Sequence, residues 1–206
     1  MTISSPVTLP TTVSFKSLTF FAKGVRGRNR NTFSLKEQIY EYEGSMWGLS
    51  VQYPPLEVAD AKEIMAFLLA CNFGSRTFLA GDPNAATPKG VASGTPLVMG
   101  ASQTGYSLIT DGWTISTTNI LKAGDYFRVG NNLFMNLTDV NSNGSGQATL
   151  DIYPNIGTTI RPSPADNASI ITASPKGLFR LDTDTISWTT NEEKLYDISF
   201  TATEAV

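Results

Sequence analysis

The chain has 206 residues, of which 41% are hydrophobic, and a formal net charge of −3. This composition allows a packed core, argues against wholesale disorder and argues against nucleic acid as the main partner. Histidine is absent and Cys71 is the only cysteine. These counts exclude histidine-dependent catalysis, an intrachain disulfide and a cysteine–histidine metal site. Cys71 stands among apolar residues, so we expect it in the core and not as a nucleophile.

The first part of the chain predicts strands. One or two early strands are indicated by closely spaced apolar residues: Val13, Phe15, Leu18 and Phe20. A basic, glycine-containing stretch at 24–31 follows, and we interpret it as a loop. A further strand is predicted around Gln38–Tyr42.

The clearest strand signal in this half lies at Met46–Tyr53. Its large apolar residues alternate with small or polar ones and therefore share one face: Trp47, Leu49, Val51 and Tyr53. A period of two is typical of a half-buried strand. Pro54 and Pro55 then end the ladder, because proline cannot donate a backbone hydrogen bond.

A helix is predicted over Leu56–Cys71, and it is the only substantial helix that the sequence indicates. Apolar residues recur there at a spacing of three and four: Val58, Ala61, Ile64, Met65, Leu68 and Cys71. That spacing is typical of an amphipathic helix, and Gly74 is a stop signal just after it. A short strand is predicted at Thr77–Leu79, and a surface loop or linker at 81–94.

The second half returns to short strands. They are predicted at Leu97–Gly100, Tyr106–Ile109, Asp125–Val129, Leu133–Val140 and Gln147–Tyr153. Two connections, Gly130–Asn132 and Asn141–Gly146, hold residues that tolerate positive φ and so predict hairpins. A loop at Ile156–Ala168 precedes the closing strands. These are predicted at Leu178–Leu181, Ile186–Trp188 and Tyr196–Ala202.

Two blocks of this sequence resemble the distal tail proteins of bacteriophages with long, flexible tails. The first block is the strand-to-helix unit Trp47–Leu56. The second runs from Gly105–Trp113 into Leu121–Gly130. Its pattern Lys-Ala-Gly-Asp-aromatic-Phe is similar to a strand entry in the small β-barrels of phage tail proteins.

Single residues of these blocks have expected roles in the fold. Gly124 lets the chain bend, Asp125 caps the turn, and Phe127 enters the barrel core with Val129. Trp188 is expected to anchor the core of the other half together with Trp47. The residues that we expect to define the fold are therefore Trp47, Leu49, Val51, Tyr53, Gly124, Asp125, Phe127 and Trp188.

The resemblance implies a mainly β fold with two parts. A tail-tube-like β-sandwich with one α-helix would comprise 1–95 and 178–206. A barrel of the oligonucleotide/oligosaccharide-binding (OB) type would be inserted over 96–177. The order of strands, helix, barrel-like block and closing strands agrees with this arrangement.

The resemblance also implies a structural role in the virion, at the distal end of the tail, after synthesis in the host cytoplasm. Six copies would form a homohexameric ring between the tail tube protein and the hub or tip protein. Receptor-binding proteins or side fibres would attach at the periphery. No reaction, catalytic residue, cofactor, metal or membrane is implied, and DNA would only pass through the channel.

The one run of positive charge has two functional interpretations and a plain one. It consists of Lys23, Arg26, Arg28 and Arg30. These cations would contact either a neighbouring subunit or DNA that moves through the channel. The plain interpretation is a surface loop.

Other functions are open at this stage. One is a carbohydrate-binding adhesion module, for which an exposed aromatic platform on the barrel would be needed. The candidates for such a platform are Tyr106, Trp113, Tyr126 and Phe134, and we favour packing roles for them. Another is a different tail component, such as a tube protein. An enzyme on a β scaffold is disfavoured by the missing chemistry.

Two weaker patterns favour ordinary turns. Asp139–Gly144 matches the first half of a calcium-binding loop, but position twelve is Leu150 and the flanks predict strands. A hairpin turn with left-handed asparagines explains it better. Carboxylate pairs of the kind that glycosidases use occur at Asp182, Asp184, Glu192 and Glu193. Because they stand beside predicted turns, we interpret them as solvated loop ends.

Overall fold

The computed structural model describes residues 4–206. Over these residues the chain is mainly β with one α-helix, which confirms the predicted fold class. The first half contains β1 (Ser17–Arg30), β2 (Glu37–Gln52), α1 (Val58–Ala70), β3 (Thr77–Ala80) and a short 3₁₀ helix (Pro83–Ala85). The middle contains β4 (Gly94–Val98), β5 (Gly105–Trp113), β6 (Tyr126–Val129), β7 (Asn132–Asn136), β8 (Ala148–Ile156) and β9 (Ile170–Ile171). The end contains β10 (Gly177–Leu181), β11 (Thr189–Thr190), β12 (Tyr196–Asp197) and β13 (Ser199–Glu204).

Five of these strands form an antiparallel sheet in the order β1-β2-β13-β10-β3. Strand β2 supplies the centre of its core, because three of its alternate residues, Trp47, Leu49 and Val51, and Tyr53 directly after it are at most 5% exposed. The alternation in the sequence predicted this face correctly. Strands β11 and β12 form a separate two-stranded sheet.

Helix α1 packs on the inward face of the five-stranded sheet. Its buried residues are Ala61, Ile64, Phe67 and Leu68. The ring of Phe67 meets the rings of Phe78 and Phe200, with centroids 5.3 and 6.1 Å apart. The predicted apolar face is wrong in two places. Val58 is 43% exposed, and Phe67 is buried although it lay outside the predicted stripe.

Strands β4 to β9 form a six-stranded antiparallel sheet in the order β4-β5-β8-β7-β6-β9. The sheet nearly closes into a barrel, because the Val98 N–H at one end donates to the Ala168 carbonyl beside β9 at 2.9 Å. Phe127 and Phe134 stack inside it, with ring centroids 5.5 Å apart. The interior is therefore a packed core and not a pore.

Asp125 holds the entry to the barrel together. Its carboxylate is 3% exposed and accepts the backbone N–H groups of Lys89, Gly90 and Lys122 at 2.7, 2.9 and 2.8 Å. Gly124 before it has φ +90°, a conformation that favours glycine. Asp125 therefore caps the turn as expected, and it also ties the segment before β4 to the barrel.

The outer face of the barrel packs against the core of the five-stranded sheet. Barrel residues that point outward pack against the sheet cluster: Tyr126, Leu133, Met135 and Tyr153. The Trp47 ring lies among them, with centroids 5.8 Å from Tyr126 and 4.9 Å from Tyr153. Its Nε1–H donates to the Leu133 carbonyl at 3.0 Å. The barrel thus completes the burial of Trp47.

Four further sequence predictions are wrong. The basic stretch that begins at Gly24 is not a loop, because β1 continues to Arg30. The two predicted strands that follow it are one continuous strand, β2. Trp188 does not anchor the core of the sheet, since it is 41% exposed and lies outside that cluster. The strand predicted at Ile186–Trp188 is replaced by the short β11.

The two glycine–asparagine turns differ from each other. Val129 pairs with Asn132 across Gly130, whose φ is +59°, so this hairpin is as predicted. In Asn141–Gly146 it is Gly146 that has positive φ, +72°, and not an asparagine. The Asn143 side chain instead accepts the N–H groups of Ser145 and Gln147, both at 2.9 Å. This hydrogen-bond pattern is an Asx turn.

Candidate functional site: the charged hairpin arm

The first two strands form a hairpin that extends far beyond the sheet. Its register runs from Ser17 opposite Gln52 to Arg30 opposite Glu37. We call residues 25–44 the arm. We call the paired segments 17–24 and 45–52 the root. Only the root is covered by another strand, because β13 pairs with β2 only from Gly48 onward.

A β-bulge separates the arm from the root. The register shifts between Gly24 and Arg26, so that one residue of β1, Val25, lies opposite three residues of β2, 42–44. Bulges increase the local twist and turn a strand away from its previous course. The tip is closed by Asn31, whose Oδ1 accepts the N–H groups of Phe33 and Ser34 at 2.9 and 3.0 Å. The arm is therefore a defined hairpin with its own turn.

Both edges of the arm are open. Strand β1 is the end strand of its sheet, so its outer backbone groups pair with no strand among residues 4–206. Strand β2 likewise has no partner strand on its other side before Gly48 in this part of the chain. An open strand edge is a template for pairing with another strand.

The two edges carry opposite charge. Strand β1 contains cations and no carboxylate, namely Lys23, Arg26, Arg28 and Arg30. Strand β2 contains carboxylates and no cation, namely Glu37, Glu41 and Glu43. Arg26 stands opposite Glu41 and Arg30 opposite Glu37. Residues directly opposite each other share a face, so a basic stripe and an acidic stripe run side by side.

The four predicted cations differ in their contacts. Arg28 forms an ion pair with Glu37, with Nη2 and Oε2 3.0 Å apart. Lys23 lies 3.6 Å from the Asp182 carboxylate. Arg26 and Arg30 form no ion pair within residues 4–206. These two arginines are therefore the cations of the arm that are free to meet a partner from outside.

The arm also exposes large apolar side chains. They are Val25, Phe33, Leu35, Ile39, Tyr40 and Tyr42. Phe33 at the tip is 99% exposed, and the other five are at least half exposed. A cluster of this kind marks a surface that another molecule covers. In the root the corresponding aromatic side chains pack into the core.

The four aromatic residues considered for a carbohydrate platform do not form one. Trp113 and Phe134 are buried in the barrel, at 3% and 0% exposure. Tyr126 packs against Trp47. Tyr106 alone of the four is substantially exposed, and its hydroxyl donates to Glu41 Oε1 at 2.9 Å. This hydrogen bond, with a smaller contribution from burial, raises the pKa of Tyr106.

In the segment Asp139–Gly144, which resembles half of a calcium-binding loop, the side-chain oxygens accept hydrogen bonds from separate backbone groups. Asp139 accepts the N–H of Ala123 at 2.9 Å, and Asn141 accepts the N–H of Asn119 at 2.7 Å. Among residues 4–206 no group of three or more Asp, Glu or Cys side chains is placed to hold a metal ion. Asp182 lies beside Lys23, as described above.

Cys71 is 0% exposed and belongs to the core of the sheet. Burial raises the pKa of its thiol to about 11, with Arg76 acting weakly in the opposite direction. A thiol with this pKa is a poor nucleophile at neutral pH. In the described part of the chain, no helix combines the length and apolarity that a membrane crossing requires.

The sequence predicts the arm only in part. The run of cations is evident, but the glycines and polar residues around it favour a loop. A usable signal was present, since a run of cations is followed by a run of carboxylates across the short segment 31–36. Cross-strand pairing of opposite charge is typical of an exposed hairpin.

No protein-family model matches this chain, and no curated protein matches it either. The function is therefore inferred from the geometry and charge of the arm, together with the resemblance of the two sequence blocks.

Proposed function

We propose that this protein is a structural, ring-forming component of a phage tail, of the distal tail type. The observation that carries the proposal is the arm, an exposed hairpin with one basic open edge and one acidic open edge. Two open edges of unlike charge are suited to repeated side-by-side pairing between copies of the same chain.

The charge distribution favours one kind of self-association. In a two-fold dimer, β1 would meet β1 or β2 would meet β2, which brings like charges together. In a head-to-tail arrangement, β1 of one copy meets β2 of the next, and cations meet carboxylates. Like charges directly across a ladder destabilise it, and unlike charges stabilise it. Head-to-tail contacts generate closed rings or open filaments.

The strand directions agree with this arrangement. Strands β1 and β2 are antiparallel within one arm. When neighbouring arms point the same way, β1 of one copy is therefore also antiparallel to β2 of the next. A continuous antiparallel sheet would then pass through every arm. The exposed apolar residues of the arm would be covered by neighbouring arms on closure.

The distal tail assignment rests on the sequence resemblance. On that basis the ring contains six copies, with the tail tube protein on one side and the hub or tip protein on the other. Receptor-binding proteins or side fibres would attach at the barrel periphery. DNA would pass the arms without a sequence-specific contact, and no catalysis is proposed.

Charge-reversed variants test the ring contact. The first variant carries Arg26→Glu and Arg30→Glu, so the two cations of β1 without an ion pair become carboxylates. The second carries Glu37→Lys and Glu41→Lys, so two of the three carboxylates of β2 become cations. Each is expected to remain folded through its root and to be monomeric by light scattering after gel filtration. The wild type is expected to form a species of about six chains that appears as open rings in negative stain.

Mixing the two variants provides the sharper result. The acidic β1 of the first pairs with the basic β2 of the second, and the basic β1 of the second pairs with the acidic β2 of the first. The mixture should therefore assemble, with alternating copies in rings of even number. Wild-type chains that stay monomeric at every concentration, or single variants that assemble like the wild type, would contradict the proposal. Circular dichroism of each variant controls for folding.

A further inference from the structure

The junction of the root and the arm is held by side chains from β8, from the loop after β8 and from β13. There the edge of β2 that faces away from β1 has no partner strand among the described residues. Side chains form hydrogen bonds with its backbone groups instead. Glu204 Oε2 accepts the Trp47 N–H at 3.0 Å. Arg161 Nη1 donates to the Ser45 carbonyl at 3.1 Å, and Asn155 Nδ2 donates to the Glu43 carbonyl at 3.2 Å.

These side chains are also fixed to one another. Arg161 Nη2 donates to Glu204 Oε2 at 2.6 Å, and Arg161 Nη1 donates to the Asn155 carbonyl at 3.2 Å. The Ser45 hydroxyl donates to Asn155 Oδ1. The exposure of Arg161 is 0% and that of Glu204 is 5%. We call Arg161, Glu204 and Asn155 the clamp.

A contribution to stability does not account well for the buried charges of the clamp. Burying two charges carries a desolvation penalty that their attraction often fails to exceed. Burial raises the pKa of Glu204, although Arg161 and the Trp47 N–H act in the opposite direction. Arg161 Nε and Glu204 Oε1 have no partner within residues 4–206. An apolar pair would fill this space at lower cost, so a positional role accounts better for the charges.

We propose that the clamp is a positioning device that fixes the direction in which the arm leaves the sheet. The clamped residue Glu43 lies within the bulge itself, and the clamped Ser45 is the first paired residue after it, opposite Gly24. Apart from the clamp, the arm is held by this irregular part of the ladder and by the hydrogen bond from Tyr106 to Glu41. Arg161, Glu204 and Asn155 are therefore positioning residues for the arm.

The clamp also limits which backbone groups of β2 can pair with a partner strand. The carbonyls of Glu43 and Ser45 and the N–H of Trp47 are already occupied. A partner strand is therefore limited to Glu37–Tyr42 on this edge. This consequence rests on the proposed function, whereas the fixed direction of the arm does not.

The direction of the arm is measurable as a distance. Spin labels at Thr32→Cys on the tip and Lys62→Cys on α1, in a Cys71→Ala background, report it by double electron–electron resonance. The full chain carries Arg26→Glu and Arg30→Glu in every sample, so that neighbouring arms are not needed to hold the labelled one. We expect a single narrow distance distribution for this reference protein.

Arg161→Met with Glu204→Leu removes both charged members of the clamp at once, so that no unpaired charge is buried, and leaves Asn155 in place. We expect the protein to stay folded and the distance distribution to broaden at least about two-fold, because the arm then pivots at the bulge. Phe134→Leu is the matched control. It weakens the barrel core, which contains no residue of the arm, and should lower the melting temperature while leaving the distribution narrow.

The possible results separate the two proposals. An unchanged distribution in a folded Arg161→Met/Glu204→Leu protein overturns the positioning role, as does a broad distribution in the reference protein. Broadening in the Phe134→Leu control to the same extent would assign the effect to general loss of stability and would equally overturn it. A broadened clamp variant of a chain that never forms rings would support the clamp and reject the ring.

Discussion

The root and the arm are two halves of one hairpin that pair in the same way and differ in burial. In the root, Trp47 and its alternate neighbours are at most 5% exposed because a helix and the barrel cover that face. Beyond Glu41 no described element covers the arm towards its tip, where Phe33 is 99% exposed. Backbone pairing alone therefore does not tell a core strand from a projecting one. The side-chain pattern and the neighbouring elements decide it.

The largest expected difference between the two halves concerns their large aromatic side chains. Trp47→Ala should lower the free energy of unfolding by about 5 kcal/mol. This value is at the upper end for truncation of an aromatic side chain, because the substitution also removes the hydrogen bond to Leu133. Tyr40→Ala in the arm should change it by less than about 0.5 kcal/mol. Equilibrium denaturation in urea measures both. Similar losses of unfolding free energy in the two variants would contradict the difference in burial between root and arm.

An alkaline titration should sharpen the comparison. Burial raises the pKa of Tyr53 to about 12, above its ordinary value of 10.0. Between these values the folded state binds more protons than the unfolded state, so stability falls as the pH rises. The wild type should lose stability between pH 9 and 11.5, and Tyr53→Phe should make this loss smaller by about 2 kcal/mol.

The control for this titration is Tyr40→Phe, since Tyr40 is half exposed in the arm. Denaturation of the wild type and of both variants at each pH measures their profiles of stability. A Tyr53→Phe profile that follows the wild type would show that Tyr53 is not buried as described. Cys71 contributes a similar slope to every variant, because its folded pKa of about 11 is also raised.

The smallest expected effect concerns two glycines. A Cβ on Gly48 in the root would stand 2.2 Å from the Phe21 ring, whereas a Cβ on Gly24 beside the arm would meet nothing within 4 Å. Gly48→Ala should cost about 1–2 kcal/mol, because the ring must move. Gly24→Ala should cost less than about 0.5 kcal/mol. Thermal denaturation distinguishes them, and equal costs would contradict the close packing of Phe21 on Gly48.

Periodicity predicted those elements whose burial has a simple pattern. The alternation around Trp47 gave a strand with the correct inward face, and the spacing from Ala61 to Cys71 gave the helix. The turn at Gly130 was predicted from residues that tolerate positive φ. The outer part of β1 was missed, because a strand with no buried face lacks the apolar alternation on which such predictions depend. Trp188 was misplaced, because size and apolarity do not reveal whether a neighbour covers a side chain.

The sequence by itself determined the mainly β class, the single predicted helix and the run of cations followed by carboxylates, because these depend on neighbouring residues. Tertiary structure alone decided that these charges form opposite edges of one arm, since this requires the register of β1 on β2. It alone also brought Arg161 and Asn155 to Glu204 at the root. No local pattern marks these residues, because their burial results from packing between segments that are distant in the chain.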